Sequence, residues 1–351
     1  MVEDRCDEAT LAHAADILVK ELMCVARGED VVITTDSAGD RRAVQALYRA
    51  SRLCGARPAI ITIGQLPYQG SLADPYISAS VTAAVANCDV WFDATFPYMA
   101  GSKPHSAAME GKRVRSLLLA DLGSGGMARL FGNTDLDKLF RMQTRLDEIV
   151  TAALGRPCRV QSANGSDFSF VIGKTTTRKL RRTNVPGGYT PPGSAVMYPQ
   201  KDSVKGTIVI DYAFHEYMTP LHAPIRIEVD REIVSMNGGG ADRPVMERAL
   251  KRAGGGKYGS VIHFSLGFHP AARLTGHSFI EGIRTIGCNA IGLGTPWWEP
   301  GGGENHPDGV LAMQSMWIDG QQITQDGAFV APDLVEMASA LQADVFPGIR
   351  Q

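Results

Sequence analysis

Short apolar runs and amphipathic segments alternate through the first 155 residues of the chain. Apolar side chains recur at helical spacing from Leu11 to Val25, which predicts an amphipathic helix at the start. In chain order the pattern predicts a helix over 9–27, a strand over 30–35, a helix over 41–54, a strand over 58–63, a helix over 79–87, strands over 89–94 and 114–120, and a helix over 135–154. Strands that alternate with helices build a parallel sheet covered by helices on both faces. We therefore predict a Rossmann-like α/β domain over residues 1–155.

The pattern changes after the Gly-Arg-Pro sequence at 155–157, which marks a domain boundary. The next predicted elements are strands over 158–162, 169–173, 206–212 and 225–229, and a helix over 243–253. Because few helices lie between these strands, we predict an α+β domain with a mostly antiparallel sheet over residues 156–351. Within it, the Pro- and Gly-rich segment 184–193 is predicted to lack regular structure, and ordered loops of this kind often line sites.

Composition narrows the classes of function. The formal net charge is −2, so we expect no general attraction to nucleic acid or to an anionic membrane surface. The six cysteines include no C-x-x-C pair, and the N-terminal residues are acidic where a secretory signal would be basic, which favours a cytoplasmic protein. A basic run over 174–182 predicts a solvated loop, a subunit contact or an attraction for an anionic substrate.

The candidate chemistry is concentrated between Val261 and Asp308. Four of the chain's eight histidines lie there, together with carboxylates and Gly-rich turns, and such groups suit a hard-to-borderline metal ion. In an extended segment residues i and i+2 project to the same side, so His306 and Asp308 can reach one ion. His263 follows an apolar run typical of a buried strand and is the best candidate for a third ligand. Two histidines and one carboxylate form the ligand set of non-haem Fe(II) oxygenases, although a hydrogen-bonded turn histidine remains an alternative.

A second candidate lies in the predicted α/β domain. His105 is part of the segment 94–107, which follows a predicted strand and is expected to form a loop. Ligands of open α/β sheets bind beyond the carboxyl ends of the strands, where a neutral imidazole can act as a general base. A surface role is the alternative for a loop histidine. The first strand-to-helix turn, T-D-S-A-G-D, lacks the G-x-G-x-x-G fingerprint, so no dinucleotide is expected.

Four stretches carry a resemblance to known families: V-Q-S-A-N-G-S-D-F, D-S-V-K-G-T-I-V-I-D, K-Y-G-S-V-I-H-F-S-L-G-F-H-P-A-A-R and G-G-G-E-N-H-P-D. In this order and spacing they resemble the aminopeptidase T family, the M29 metallopeptidases. On that scaffold the chain is most similar to the bacterial 2,5-dihydroxypyridine dioxygenases. The resemblance covers most of the chain and is firmest from Arg159 on. It implies that the second domain is a metal-binding domain of the M29 aminopeptidase type.

The resemblance implies one metal rather than two. M29 peptidases hold two metals with two Glu, two His and one Asp, and this chain aligns His263 and Asn289 with two of those positions. Losing a bridging carboxylate and a terminal imidazole should leave a single metal. The implied ligands are His263, His306 and Asp308, which form the triad of the dioxygenases, and Glu281 is expected behind them.

The resemblance also implies the reaction. It makes the chain an Fe(II)-dependent dioxygenase that opens a hydroxylated, nitrogen-containing aromatic ring with O2. His105 would be the general base, and Arg284 would orient a polar or anionic substituent. The aromatic residues expected to stack on the ring are Tyr189, Trp297 and Trp298. For the two tryptophans, ordinary packing at a turn is the alternative. The dioxygenases have Glu and His where Thr177 and Tyr189 align, which leaves the ring substituents open.

Two other functions remain open at this stage. Retention of Glu281 is consistent with a metallo-hydrolase in which this residue is the base or a fourth ligand and zinc or manganese generates hydroxide. A catalytically silent ligand-binding protein on the same scaffold is the third possibility. Because M29-type proteins generally self-associate, we expect a homo-oligomer. Its expected partners are a small aromatic substrate and O2, with no nucleic acid and no membrane.

Overall fold

The computed structural model describes residues 6–173, 182–214, 221–295 and 306–345. The chain divides into two compact units: unit 1 comprises residues 1–134 and 180–191, and unit 2 comprises residues 135–179 and 192–351. Of the basic run over 174–182, only Arg182 belongs to the described residues, so the role of this run stays a prediction. In the described part of the chain, no helix combines the length and the apolar character that crossing a bilayer requires.

Unit 1 is built on a parallel sheet with the strand order β2-β1-β3-β4-β7. Its strands are β1 (Asp30–Asp36), β2 (Arg57–Ile63), β3 (Val90–Ala94), β4 (Arg115–Leu118) and β7 (Gly187–Tyr189). Its helices are α1 (Glu8–Asp16), continued by a π-helical segment (Ile17–Leu22), α2 (Arg41–Leu53), a 3-10 helix (Gly70–Tyr76), α3 (Ala79–Asn87), α4 (Lys103–Glu110) and α5 (Ser124–Gly132). Helices α1, α2 and α5 contact one another, and α3 packs on α4. The predicted alternation of strands and helices is confirmed.

The core of unit 1 explains the apolar character of its strands. Strand β1 is buried at every residue after its first, as expected for a strand inside a parallel sheet that helices cover. Val32 and Trp91 share a buried cluster with Val85 of α3 and Ala108 of α4. Helix α5 has no counterpart among the predicted elements. Every residue of it except Arg129 is buried, so its sequence carries no polar face from which a helical period could be read.

Two predictions in unit 1 were wrong. The Pro- and Gly-rich segment 184–193, predicted to lack regular structure, supplies β7, which pairs in parallel with β4. This strand is short and held by backbone hydrogen bonds, so it needs no alternating side-chain pattern. His105, predicted on a loop, lies in the first turn of α4. Pro104 is compatible with that turn because the first N–H groups of a helix have no partner within it.

The described residues of unit 2 form two antiparallel sheets, which confirms the predicted character of this half. The five-stranded sheet, in the order β10-β15-β14-β13-β8, consists of β8 (Ser194–Met197), β10 (Ala213–Phe214), β13 (Ser260–Gly267), β14 (Cys288–Gly294) and β15 (Asp308–Ala312). The eight-stranded sheet, in the order β12-β11-β9-β6-β5-β16-β17-β18, consists of β5 (Pro157–Ser162), β6 (Asp167–Val171), β9 (Lys205–Ile210), β11 (Ile225–Asp230), β12 (Glu232–Gly238), β16 (Gln314–Ile318), β17 (Gln321–Gln325) and β18 (Ala328–Phe329). The helices are α6 (Leu136–Ala152), α7 (Asp242–Ala253), α8 (Phe279–Gly282) and α9 (Pro332–Val345).

Helix α6 belongs to unit 2, although the sequence pattern placed it at the end of the first domain. It packs against β8 and α9, and Arg145 Nε donates a hydrogen bond to Asp333 Oδ2 of α9 at 2.5 Å. The compact units therefore differ from the predicted division in this helix and in the segment 180–191. The domain boundary at residue 155 itself stays a prediction.

The two sheets of unit 2 pack on each other through aromatic side chains. The ring centroids of Phe168 and Phe170 in β6 lie 6.0 and 5.9 Å from that of Phe264 in β13. Phe264 is fully buried. Because side chains alternate along a strand, the residue before Phe264 points away from this core, toward the other face of the five-stranded sheet. We call that other face the site face.

Replacing Phe264 by Ala should destabilise the protein, because it removes the ring that joins the two sheets. Truncation of a fully buried Phe costs roughly 3–5 kcal/mol, and we expect the free energy of unfolding in urea to fall by that amount. Val234→Ala in β12 is the matched control, since Val234 is 63% exposed and its truncation should change the free energy by less than about 0.5 kcal/mol. Equal effects of the two substitutions would contradict the assignment of the core.

Candidate metal centre

Three neighbouring strands of the five-stranded sheet bring the predicted ligands together. His263 in β13 pairs with Gly292 in β14, and Gly292 pairs with Asp308 at the start of β15. Cross-strand partners lie on one face, so these three residues form a row across the site face, which we call the site row. The pairing register of β13 shifts between Val261 and His263. Such bulges often redirect a side chain next to a functional site.

His306 approaches the site row from the segment just ahead of β15. Leu293 N donates to Pro307 O at 2.9 Å, so this segment runs alongside β14 before the strand begins. His306 and Asp308 project to the same side, as predicted from their i and i+2 spacing.

The three side chains meet with one donor atom each. His263 Nε2 lies 2.7 Å from His306 Nε2 and 3.1 Å from Asp308 Oδ1, and His306 Nε2 lies 3.8 Å from the same oxygen. The side chains of His263, His306 and Asp308 are 14%, 12% and 8% exposed, so solvent reaches them only in part. Among the described residues they form a group of potential metal ligands whose donor atoms all lie within 4.8 Å of one another.

This donor set fits a metal ion. Two imidazole nitrogens that face each other can share only one hydrogen bond, whereas a cation would use both nitrogens and the carboxylate oxygen together. Metal–ligand distances of about 2.0–2.2 Å place neighbouring ligand atoms about 3 Å apart, which is close to the observed spacing. Two imidazoles with one carboxylate also match the ligand set of mononuclear Fe(II) oxygenases.

Gly292 keeps open the space over which the imidazoles converge. A Cβ atom at this position would lie 2.5 Å from both Cδ2 and Nε2 of His263 and 2.8 Å from Cδ2 of His306. These distances are too short for van der Waals contact, so any side chain at Gly292 would displace the rings. The sequence pattern did not predict this role. The signal was a glycine inside an apolar strand, which often marks the close approach of another group.

The next row of the site face, beside the site row, carries Ser265, Ala290 and Val310. Ala290 and Val310 follow on the same face of β14 and β15, and they share a buried cluster with Cys288. Asn289, aligned with a peptidase histidine, points to the opposite face, and its Nδ2 donates to Ser265 O at 2.7 Å. The described strand residues next to the site row therefore provide no carboxylate or imidazole for a second metal.

Glu281 and Arg284 lie in the connection between β13 and β14. Glu281 is fully buried, its N–H donates to Ser278 Oγ at 3.1 Å, and its Oε1 accepts from Arg273 N at 3.0 Å. Arg284 is 1% exposed, and its guanidinium donates to Ile280 O. The group of donors within 4.8 Å does not include Glu281, and its place behind the ligands stays a prediction.

His105 lies in unit 1, in the first turn of α4. Its Nδ1 accepts from Gly101 N at 3.4 Å. Its Nε2 faces β7, where a Cβ atom at Gly188 would lie 3.6 Å away. Burial lowers the pKa of His105 from the ordinary value of 6.5 and so favours the neutral ring. Tyr189, the neighbour of Gly188 on β7, donates its hydroxyl to Val185 O at 2.8 Å.

Some predicted residues fall outside the described part of the chain, and one contact was not predicted. Trp297, Trp298 and Thr177 lie outside the described residues, so their roles stay predictions.

Tyr198 meets His263 edge to face, with ring centroids 6.3 Å apart. No local sequence signal marks Tyr198, because the contact depends on the pairing of β8 with β13.

Gly292→Ala should abolish metal binding, because the new Cβ atom would occupy the place where the imidazoles converge. We expect a loss larger than the roughly 10–100-fold typical of residues behind metal ligands. The measurement is the iron content after anaerobic loading with Fe(II). Gly282→Ala in α8 is the matched control, since a Cβ atom there would meet Leu274 at an ordinary 3.6 Å. Full iron content in Gly292→Ala would show that the site row tolerates a side chain.

Comparisons with solved structures show a known fold. The structure of 2,5-dihydroxypyridine dioxygenase from Pseudomonas putida KT2440 has a TM-score of 0.74 and 17% identity, and the match covers 94% of this chain and 100% of that chain. Wild-type AmpT from Thermus thermophilus has a TM-score of 0.59 and 12% identity, and the match covers 92% of this chain and 100% of that chain. The mixed α/β fold is therefore similar to that of M29 aminopeptidases, as the sequence resemblance implied.

Sequence comparison identifies the family. No curated protein sequence matches the chain. The family model described as NicX, 2,5-dihydroxypyridine 5,6-dioxygenase, matches residues 16–331. Since this match spans most of the 351 residues, the chain belongs to the NicX family.

Proposed function

We propose that this chain is a mononuclear Fe(II)-dependent dioxygenase that opens a hydroxylated N-heteroaromatic ring such as that of 2,5-dihydroxypyridine. The observation that carries the proposal is the convergence of two imidazole nitrogens and one carboxylate oxygen over Gly292. Membership in the NicX family supports the same reaction class. The site is proposed to take a small aromatic substrate and O2 as its two reactants.

The residues proposed to hold the iron are His263, His306 and Asp308. When bound, Fe(II) on two histidines and one carboxylate supplies a redox centre with open positions for an aromatic substrate and dioxygen. The carboxylate of Asp308 offsets part of the charge of the cation, while the two neutral imidazoles add none. Because the substrate itself supplies the electrons, the reaction needs neither a nicotinamide nor a 2-oxoacid.

His105 is proposed to take the proton from the substrate hydroxyl. Its lowered pKa keeps the ring neutral at neutral pH, as a base must be before it accepts a proton. With Nδ1 accepting from Gly101, the neutral ring carries its proton on Nε2. To accept the substrate proton at Nε2, the ring must first be in the other neutral tautomer, with its proton on Nδ1. That change gives up a contact of 3.4 Å, which is long for a hydrogen bond and costs little.

Arg284 and Tyr189 are proposed to bind the substrate ring. The hydrogen bond from Arg284 to Ile280 O holds the guanidinium in place, and the positive charge of this group suits a polar or anionic substituent. Tyr189 would contribute the face of its ring, because its hydroxyl already donates to Val185 O. Trp297 and Trp298 are retained as further stacking candidates.

A metallo-hydrolase with Glu281 as base or fourth ligand is the weaker alternative, above all in the two-metal form of the M29 peptidases. The two-metal form needs a bridging carboxylate and a second set of ligands beside the first. The strand positions next to the site row carry Ala290 and Val310 instead, and Glu281 lies outside the group of donors within 4.8 Å. A homo-oligomer and a cytoplasmic location are retained as parts of the proposal.

Removing any of the three ligands should abolish iron binding. We expect His263→Ala, His306→Ala and Asp308→Ala each to lose the iron and the oxygen uptake measured with hydroxypyridines and catechols, with unchanged folding by circular dichroism. Glu281→Ala should weaken binding only by roughly 10–100-fold. His277→Ala, an exposed histidine of the same stretch, is the control and should keep one iron. Complete loss in Glu281→Ala would favour the hydrolase-like site, and retention in any ligand variant would remove that residue from the set.

His105→Ala should keep its iron yet lose turnover by roughly 10²–10⁴-fold, the usual range for a missing acid or base. In the parent, lowering the pH through the depressed pKa of His105 protonates the ring, so the acidic limb of kcat/KM should lie below pH 6.5. In the variant this limb should weaken, and high pH, which ionises the substrate hydroxyl, should restore part of the rate. His13→Ala, exposed in the same unit, is the control. Parental turnover in His105→Ala would leave the base unassigned.

A further inference from the structure

The imidazole of His263 lacks the support that a metal-bound histidine normally has. Such a ring usually donates its second N–H to a carboxylate or a carbonyl, which fixes the orientation of the ligating nitrogen. His263 Nε2 faces His306 and Asp308, whereas its Nδ1 is buried and has no hydrogen-bond partner in the described part of the chain. Another contact must therefore fix the orientation of this ring.

Tyr198 lies where such a contact is needed. Met197 of β8 pairs with Phe264 of β13, and both side chains are buried in the core. Tyr198 follows Met197, and His263 precedes Phe264. The side chains of Tyr198 and His263 therefore lie on the opposite side of the sheet, which is the site face. Their rings meet at an interplanar angle of 69° with centroids 6.3 Å apart, which is a favourable edge-to-face arrangement.

The His263 ring is held from two directions. Gly292 is its cross-strand neighbour on β14, where the backbone approaches the ring so closely that a Cβ atom would collide with it. Tyr198 lies on the other side, toward β8. A ring between a backbone and an aromatic side chain cannot rotate about its Cβ–Cγ bond without losing the contact with Tyr198.

The backbone that carries Tyr198 is itself anchored. Gly173 N donates to Tyr198 O at 2.7 Å, and Gln200 N donates to Val171 O at 2.7 Å. A Cβ atom at Gly173 would lie 3.0 Å from Tyr198 O and 2.9 Å from Gln200 N, so the two segments approach each other as closely as a glycine permits. Tyr198 therefore projects from a fixed backbone and can act as a rigid support.

We propose that Tyr198 is a positioning residue that holds the imidazole of His263 in its metal-binding orientation through ring packing, in place of the usual hydrogen bond. The inference rests on the proposed metal site. It assigns the effect to the aromatic ring of Tyr198 and not to its hydroxyl. Substitution of Tyr198 should therefore weaken Fe(II) binding directly, and any loss of turnover would follow from that weaker binding.

The test compares Tyr198→Ala, Tyr198→Leu and Tyr198→Phe in the full chain. The first readout is the dissociation constant for Fe(II), measured anaerobically by competition with a chromogenic chelator. The second is the visible absorption spectrum of the Co(II)-substituted protein, which reports the ligand geometry. We expect Tyr198→Ala and Tyr198→Leu to bind Fe(II) about 10-fold or more weakly and to shift the Co(II) bands. Tyr198→Phe should stay within about twofold of the parent, because it keeps the ring.

Val196→Ala is the matched control. Val196 lies two residues before Tyr198 on the same face of β8, and it is 36% exposed, so its truncation should leave the Fe(II) affinity and the Co(II) spectrum unchanged. Urea unfolding of each metal-free variant separates loss of the fold from loss of the site, and the Leu variant keeps the position packed if the Ala variant unfolds.

Parental affinity and spectrum in both Tyr198→Ala and Tyr198→Leu would overturn the proposal. An equal loss in Tyr198→Phe would also overturn it, since the hydroxyl would then be the active group. A parent that binds no Fe(II) would overturn the proposed function together with this inference. A parent that binds one Fe(II), with selective loss in the Ala and Leu variants, supports both.

Discussion

The pairing register of β13, β14 and β15 is the constraint on which the chemistry of this protein depends. It aligns His263, Gly292 and Asp308 across three strands. Because side chains alternate along a strand, a slip of one residue would turn His263 toward the sheet-to-sheet core and Phe264 toward the site face. The packing of Phe264 between Phe168 and Phe170 opposes such a slip. The hydrophobic core thus holds the candidate ligands in place from the other side of the sheet.

The same arrangement links metal binding to stability. The carboxylate of Asp308 is only 8% exposed and faces two imidazoles, and a charged group is costly to bury unless its charge is offset. A cation that binds all three donors would remove this cost, and a ligand that binds only the folded state stabilises it. Ala290 and Val310, beside the site row, offer no ligand for a second ion. The proposed preference for a single metal would therefore depend on these neighbours as well as on the ligands.

Local signals in the sequence predicted much of the fold and part of the site. Continuous apolar runs predicted the strands of unit 1, and the spacing of His306 and Asp308 predicted that they project together. His263 was a candidate by its place after an apolar run, and the family resemblance supported it. The roles of Gly292 and Tyr198 were not predictable in this way, because each depends on a cross-strand neighbour that is distant in sequence. Helix α5 and strand β7 escaped prediction for related reasons, since burial on all sides and backbone pairing leave no periodic pattern.

Strand β7 limits how the two units could be exchanged between genes during evolution. The chain leaves unit 1 after residue 134, returns to it for residues 180–191 and then leaves again. A protein that ended at residue 155 would lack β7, and the open edge of β4 would be free to pair with strands of other molecules. Neither unit is a contiguous segment that a simple gene fusion or a single cut could transfer. We therefore expect the two units to have been copied and to have diverged together, with changes near His105 and changes near the site row accumulating in one evolving gene.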